Sequence, residues 1–228
     1  MNVKMFLSLG ILFFCMGLKA QEKDTRTLEP FNKVEIKNGI IAELVKSDKE
    51  AVDIQAKDID ISRVLSKVKD GILEISLEAP PLTKYQVSAR IFYKKVNEIS
   101  GSSQSEISSS SLMKQDSLTV DLVTGAKAYL DLDVQYLKCR ATEGAILTAE
   151  GYAVNQDAYS STGGTLSLFD LESDVIKIKA TANGKAKINV DKLLNAESST
   201  GASILYKGDA EKIEKKTSIG GKIEKYGE

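Results

Sequence analysis

Glycine recurs through the C-terminal two-thirds of the chain at a nearly constant spacing. Each copy usually follows a polar residue and separates two runs in which apolar and polar residues alternate. Successive copies lie 17 to 24 residues apart. A repeat of about 20 residues is typical of a solenoid, in which each repeat forms one coil. The predicted turn glycines are Gly101, Gly125, Gly144, Gly163, Gly184, Gly201 and Gly220.

The runs between these glycines have the two-residue period of half-buried β-strands, as at Leu118, Val120 and Leu122. They predict an all-β, single-domain, right-handed parallel β-helix. A turn that recurs at the same point of every coil favours glycine, because glycine tolerates positive φ. An antiparallel β-sandwich is the alternative, although its hairpins would place glycine less regularly.

The residues before the glycine repeat have a different pattern. Asn38-Gly39 predicts a hairpin between strands at Val34 and Ile41, and Asp70-Gly71 predicts a second hairpin. Antiparallel pairs of this kind suit an N-terminal cap, because the first edge of a solenoid must be covered.

These patterns predict the organisation of the chain. Cap strands are expected at about 25–80 and solenoid repeats at about 85–228, with Pro80-Pro81 as the clearest break between them. Both parts belong to one predicted β domain, 21–228.

Residues 1–20 have the features of a secretory signal peptide. Lys4 supplies a positive charge, an apolar run extends from Met5 to Leu18, and Ala20 is a small residue at the expected cleavage point. The run is shorter than the roughly 20 apolar residues that cross a membrane. We therefore expect an exported protein of a Gram-negative-type envelope, in the periplasm or on the outer surface. Lipoprotein processing at Cys15 is the alternative.

Composition excludes several functional classes. The sequence contains no histidine, which removes Ser-His-Asp and Cys-His arrangements and the commonest transition-metal ligand. A formal net charge of −1 gives no general attraction for nucleic acid. Cys139 is the single cysteine after the signal peptide and is expected to be a small buried side chain. No catalytic residue, metal or cofactor is predicted.

Tyrosines and carboxylates are the remaining candidates for a site. Tyr129, Tyr136, Tyr152 and Tyr159 recur through the repeat and form a hypothetical binding face, since aromatic rings stack on sugars and anchor protein partners. Packing residues or scattered surface aromatics are the alternative interpretation. The alternation also places Asp121, Asp131 and Asp133 on the solvent side of their strands.

Three segments together resemble the head GIN domain family, whose members are described as auto-transporter adhesins. They are Phe31 to Ile40 (FNKVEIKNGI), Asp70 to Ile75 (DGILEI) and Val96 to Ser102 (VNEISGS), followed by Thr-Gly-Ala turns. The similarity covers roughly residues 28–226. It implies a β-helical domain of the envelope or surface with an adhesive role, and it supplies no catalytic residues.

The first functional hypothesis is therefore a non-enzymatic binding or adhesion module whose partner is a protein or a glycan. A structural or sensory envelope protein and, less favoured, a β-helical enzyme acting on polysaccharide are the alternatives. Weak self-association through the open C-terminal edge of the solenoid is also expected.

Overall fold

A computed structural model describes residues 22–227, and β-strands account for 67% of the chain. The expected signal peptide and Cys15 lie outside the described residues. One 3₁₀ turn, Ile61–Arg63, precedes the fifth strand. The strands are β1 Glu22–Thr27, β2 Lys33–Ile36, β3 Ile41–Lys46, β4 Ala51–Lys57, β5 Val64–Lys69, β6 Ile72–Leu77, β7 Gln86–Tyr93, β8 Glu98–Gly101, β9 Glu106–Ser109, β10 Met113–Leu122, β11 Lys127–Ala141, β12 Ile146–Ser160, β13 Thr165–Ala180, β14 Lys185–Ser199, β15 Ser203–Lys207, β16 Lys212–Ser218 and β17 Lys222–Lys225.

The strands stack into a β-solenoid of about seven turns. We name as face A the stacked segments β6, β2, β8, the C-terminal parts of β10 to β14, and β16. All of them except β6, which a longer loop joins to β7, precede a tight turn. Face B holds the segments that follow this loop or the turns: β7, β3, β9, the N-terminal parts of β11 to β14, β15 and β17. Neighbouring coils pair in parallel on both faces, which confirms the β-helix and excludes the antiparallel sandwich.

A column of tight turns connects face A to face B. In each turn two successive residues have positive φ, as at Thr124 (51°) and Gly125 (72°). The turns also bond to one another along the stack: the Gly125 amide donates to the Glu143 carbonyl at 3.0 Å, and the Gly144 amide donates to the Thr162 carbonyl at 3.1 Å. The members are Asn38-Gly39, Ser103-Gln104, Thr124-Gly125, Glu143-Gly144, Thr162-Gly163, Ala182-Asn183, Thr200-Gly201 and Ile219-Gly220.

Gly101 and Gly184 do not occupy the turn positions that the sequence predicts for them. Gly101 ends β8 and faces inward, where an added Cβ would lie 3.0 Å from Leu122 Cδ2. Gly184 follows its positive-φ pair, and an added Cβ there would lie 2.5 Å from the Ser160 carbonyl oxygen. These two glycines permit close approach of neighbouring coils, whereas the other five supply positive φ.

The hairpin predicted at Asn38-Gly39 is wrong. β2 pairs with β6 and β8, whereas β3 pairs with β7 and β9, so the two strands lie on different faces of one coil. Two successive residues with positive φ occur both in a tight hairpin turn and in this solenoid turn. The Asn-Gly dipeptide therefore does not distinguish the two kinds of turn. Much of the segment 25–80 therefore belongs to the parallel stack. The Asp70-Gly71 hairpin is confirmed, because β5 and β6 pair antiparallel.

Three antiparallel strands cover the N-terminal end of the stack. β5 adds to β6 on face A, while β4 adds to β7 and β1 adds to β4 on face B. Arg26 of β1 joins the two sides. Its Nη1 donates to the Val64 carbonyl at 2.7 Å and to Ser66 Oγ at 3.0 Å.

Inward side chains form columns that run along the solenoid. One column on face A is fully buried, and each of its large members contributes about 1.5–3 kcal/mol through burial. The position of Cys139 in this column confirms the prediction that it is a small buried residue. The members of the column are Leu73, Val34, Ile99, Val120, Cys139, Ala158, Ile178 and Ala196. The next residue in this register is Lys215 of β16, a strand whose seven residues are all exposed.

Candidate binding surface

Outward side chains form ladders in which neighbours are about 4.8 Å apart, the spacing of paired strands. On face A one ladder contains Asp121, Arg140, Tyr159, Lys179, Glu197 and Lys216. Its charges pair along the ladder, with Arg140 Nε 3.1 Å from Asp121 Oδ1. Lys179 and Lys216 approach the Glu197 carboxylate at 3.7 and 3.9 Å. The outward position predicted for Asp121 is confirmed, and Asp131 and Asp133 are likewise only partly buried.

The four candidate tyrosines do not lie on one face. Tyr129 lies on face B, Tyr152 lies in the short segment between the faces, and Tyr136 and Tyr159 lie on face A. Tyr152 Oη donates to Asp174 Oδ1 at 2.9 Å, and Lys192 Nζ holds the other oxygen at 2.7 Å. The hydrogen bond to Asp174 raises the pKa of Tyr152 and occupies its hydroxyl.

Tyr136 borders a shallow groove of about 340 Å³ on face A. Tyr136 is 62% exposed and is the most exposed of the four tyrosines. Asn155 and Val175 follow it in register along one side of the groove. Lys138, Asp157 and Lys177 form the parallel ladder on the other side. The groove thus combines one accessible aromatic ring with cationic, anionic and amide groups.

Tyr129 borders a second groove, of about 300 Å³, on face B. The charged groups that line it, Asp131, Glu150 and Asp170, are all acidic. Because carboxylates of like charge surround the ring, this groove has a negative potential. The two grooves therefore differ in charge although both contain an exposed tyrosine.

The sequence did not single out a cluster near the C-terminal end of face B. Phe169 packs edge-on against Tyr226, with ring centroids 5.3 Å apart. Lys187 Nζ and Lys207 Nζ lie 5.8 and 5.4 Å from the centroid of Phe169. Lys185 and Lys222 lie on the adjacent outward ladder. We call these six residues the lysine–aromatic patch.

A shift in register explains why the patch escapes sequence analysis. The pairing of β13 with β14 jumps between Leu168 and Glu172, and this irregularity places Phe169 beside lysines of the next two coils. The 17-residue step from Gly184 to Gly201 was the available signal, because it is the shortest in the repeat.

The described residues contain no obvious reactive centre. Burial raises the pKa of the Cys139 thiol to about 12, so this thiol stays protonated and unreactive at neutral pH. Within residues 22–227, no group of three or more acidic or cysteine side chains is placed to hold a metal ion. In the same residues, no helix has the length and apolar character needed to cross a membrane.

Solved structures with this fold come from Bacteroides and Parabacteroides species. A putative adhesin from Bacteroides fragilis superposes with a TM-score of 0.81 at 18% identity, covering 91% of this chain and 97% of that one. A putative adhesin from Parabacteroides merdae gives 0.72 at 18% identity, covering 92% and 97%. A putative lipid binding protein from Parabacteroides distasonis gives 0.71 at 16% identity, covering 90% and 96%. At these identities the likeness establishes the fold alone.

Sequence comparison gives the family. No curated protein matches the chain. The family described as "Putative auto-transporter adhesin, head GIN domain" matches residues 30–210, which include every coil of the solenoid except the last. This range also contains the three segments on which the resemblance was based. The chain therefore belongs to the head GIN domain family.

Proposed function

We propose that this protein is an exported, non-enzymatic binding or adhesion module of the cell envelope, and that its ligand contacts the groove beside Tyr136. The exposure of Tyr136 is the observation that carries the proposal. A tyrosine ring provides a large contact area and loses little conformational entropy on binding. Its strand lies within the stack, so the ring is held on a rigid support.

The form of the groove suits an extended ligand. It is shallow, and it runs across three consecutive coils from Tyr136 to Val175. Asn155 offers amide hydrogen bonds, while Lys138 and Asp157 offer charges of both signs. A glycan or an extended protein segment would use the ring as an anchor and these polar groups for orientation.

Membership of an adhesin family supports an envelope or surface location. The location is tested by treating intact cells with protease, with lysed cells as the control. Digestion on intact cells is expected for a surface adhesin. Protection until lysis would exclude direct adhesion and direct the search to periplasmic partners.

The role of the groove is tested with a matched pair of tyrosine variants. Purified wild-type protein is first screened against glycans and matrix proteins. Binding of any ligand found is then compared in Tyr136→Ala and in Tyr129→Ala, which removes the exposed ring of the acidic groove. We expect Tyr136→Ala to weaken binding by about tenfold or more, and Tyr129→Ala to change it by less than about twofold. Equal effects of the two substitutions would contradict the proposal.

A further inference from the structure

We propose that the lysine–aromatic patch on face B binds an anionic polysaccharide, a sugar chain that carries carboxylate or sulfate groups. The patch lies on a different face from the Tyr136 groove. It is therefore a second site with its own ligand chemistry, and its existence does not depend on the first.

The lysines of the patch lack counter-charges. Considering all the residues that the structure describes, no carboxylate oxygen lies within 4.0 Å of the amines of Lys185, Lys187, Lys207 or Lys222. On face A, in contrast, Lys179 and Lys216 both approach Glu197. The positive charge on face B is therefore available to an external anion.

Protection of a sheet edge does not explain these lysines. Lysines on an edge strand discourage unwanted pairing, but β14 is flanked by β13 and β15, and β15 is flanked by β14 and β17. Lys185, Lys187 and Lys207 thus project from strands that are already paired on both sides. Protection of an edge therefore does not account for these three cations.

Phe169 holds two of the amines in place without neutralising them. The ring attracts both Lys187 and Lys207 through its electron-rich face, an interaction that leaves the cations charged. Each of the two amines therefore lies within 6 Å of the centroid of the same ring. Two neighbouring cations on a partly apolar support match the repeated anionic groups of an acidic polymer.

Groups between the lysines match the hydroxyls and rings of sugars. Thr165 and Ser203 are the register neighbours of Lys185, and Ser167 and Leu205 are those of Lys187. The hydroxyls of the threonine and the two serines can donate and accept hydrogen bonds. Tyr226 adds an exposed ring at the border of the patch, where a sugar can stack. Leu205 is the one aliphatic side chain among these four neighbours and is partly buried, whereas a lipid surface would favour several protruding aliphatic side chains.

The charge distribution confines the ligand to the C-terminal coils. The whole chain has a formal net charge of −1, so it has no general attraction for polyanions. Further along face B, Asp131, Glu150 and Asp170 line the Tyr129 groove and would repel the same polymer. Beside the patch, Glu224 is the one carboxylate on the ladder of Lys187 and Leu205, and the four lysines outnumber it. Binding must therefore be local to the patch.

The test measures binding of dextran sulfate and polygalacturonate to the mature chain by isothermal titration calorimetry. Neutral dextran serves as the uncharged control, and the two polymers separate sulfate from carboxylate recognition. Lys187→Gln/Lys207→Gln is compared with Lys179→Gln/Lys216→Gln, which removes the same charge from face A. Circular dichroism verifies that both double variants are folded.

We expect at least one of the acidic polymers to bind, and the face B variant to weaken that binding by about tenfold, since each exposed charge pair contributes modestly. The face A variant should change it by less than about twofold, and higher salt should weaken it. Equal losses in both double variants, or no binding of either polymer, would overturn the proposal. So would binding only to vesicles of phosphatidylglycerol, or a dimer that only the face B substitutions dissociate, since a lipid surface or a second copy would then occupy the patch.

Discussion

The two ends of the solenoid are closed in different ways. At the N-terminal end, β5 and β4 pair antiparallel with β6 and β7 of the first coil, and β1 pairs antiparallel with β4. At the C-terminal end, the described chain finishes in β16 and β17, and a lysine occupies an inward position of each strand. Lys215 continues a face A column, and Lys225 pairs in register with the buried Tyr206. One end is thus covered by strands and the other by charge.

This difference shows what each form of closure requires. An open edge exposes unpaired N–H and C=O groups and a row of apolar side chains. Covering strands pair with the backbone groups and bury the apolar side chains, but they must themselves be held in place. Arg26 holds them through its hydrogen bonds to Val64 and Ser66. A lysine requires only a place for its amine: Lys215 Nζ donates to Tyr206 Oη at 2.7 Å and lies 4.5 Å from the ring centroid. Its aliphatic stem then covers the core while its charge remains near solvent.

An inward isoleucine at each end gives the sharpest test of this comparison, although the two belong to different columns. Ile75 in the first coil is fully buried, whereas Ile213 in the last coil is 39% exposed. We expect Ile75→Ala to lower the free energy of unfolding by about 3 kcal/mol or more, because it leaves a cavity. Ile213→Ala should cost about 1 kcal/mol or less. Urea denaturation followed by circular dichroism measures both, and equal losses would mean that the last coil is packed as firmly as the first.

The repeat itself was predictable because a coil is a local unit. Alternating runs such as Leu118 to Leu122 record the inward and outward sides of one strand, and the turns lie within about 20 residues of one another. The order of the coils was not predictable. The coil of β2 and β3 lies between that of β6 and β7 and that of β8 and β9, although it precedes both in the sequence. No local pattern encodes such a long-range insertion.

The candidate sites were also predictable only within a single strand. Alternation predicted the outward position of Asp121 within its own strand. Alternation could not show that Tyr129 and Tyr136 lie on different faces, because the face that a residue occupies depends on where its strand bends. The irregular register at Phe169 decides which lysines surround that ring. Sites that cross coils therefore require the register, which only the folded structure supplies.

The second test concerns the contribution of Arg26 to holding the covering strands in place. Replacing it with Gln removes its hydrogen bonds to the Val64 carbonyl and Ser66 Oγ. We expect a loss of about 1–2 kcal/mol in the free energy of unfolding, the range for partly buried bonds from a charged donor. Arg90→Gln is the control, since Arg90 pairs with Glu43 on the exposed surface and should cost less than about 0.5 kcal/mol. If both variants lose the same amount, Arg26 does not act as a fastening.

The charged end is tested at Lys215. We expect Lys215→Met to strengthen self-association by about tenfold, because it exposes an apolar column beside an unpaired strand edge. Lys216→Met is the control, since Lys216 lies on the same strand but points outward. Sedimentation velocity at several concentrations measures the effect, with weak association expected for the wild type. An unchanged dissociation constant in Lys215→Met would show that the lysine does not limit pairing.

The smallest expected effect is a dependence on pH at the covered end. Lys37 Nζ lies 2.8 Å from Glu74 Oε2. The hydrogen bond from Lys37 lowers the pKa of Glu74, and the same bond raises the pKa of Lys37. Because the pKa of Glu74 is lower in the folded state, its contribution is complete above the unfolded value of about 4.3 and is lost as the pH falls through the lowered value. The Lys37 contribution is present below its unfolded value of about 10.4 and is lost above the raised one.

The pair is partly exposed, with 41% of the Glu74 side chain and 33% of the Lys37 side chain accessible, so solvent screens the interaction. We expect a coupling of about 0.5 kcal/mol at pH 7 from a double-mutant cycle of Glu74→Gln and Lys37→Met. The coupling should vanish at the acidic end of the titration, where Glu74 is protonated. If the coupling persists there, the two side chains are coupled by packing and not by charge.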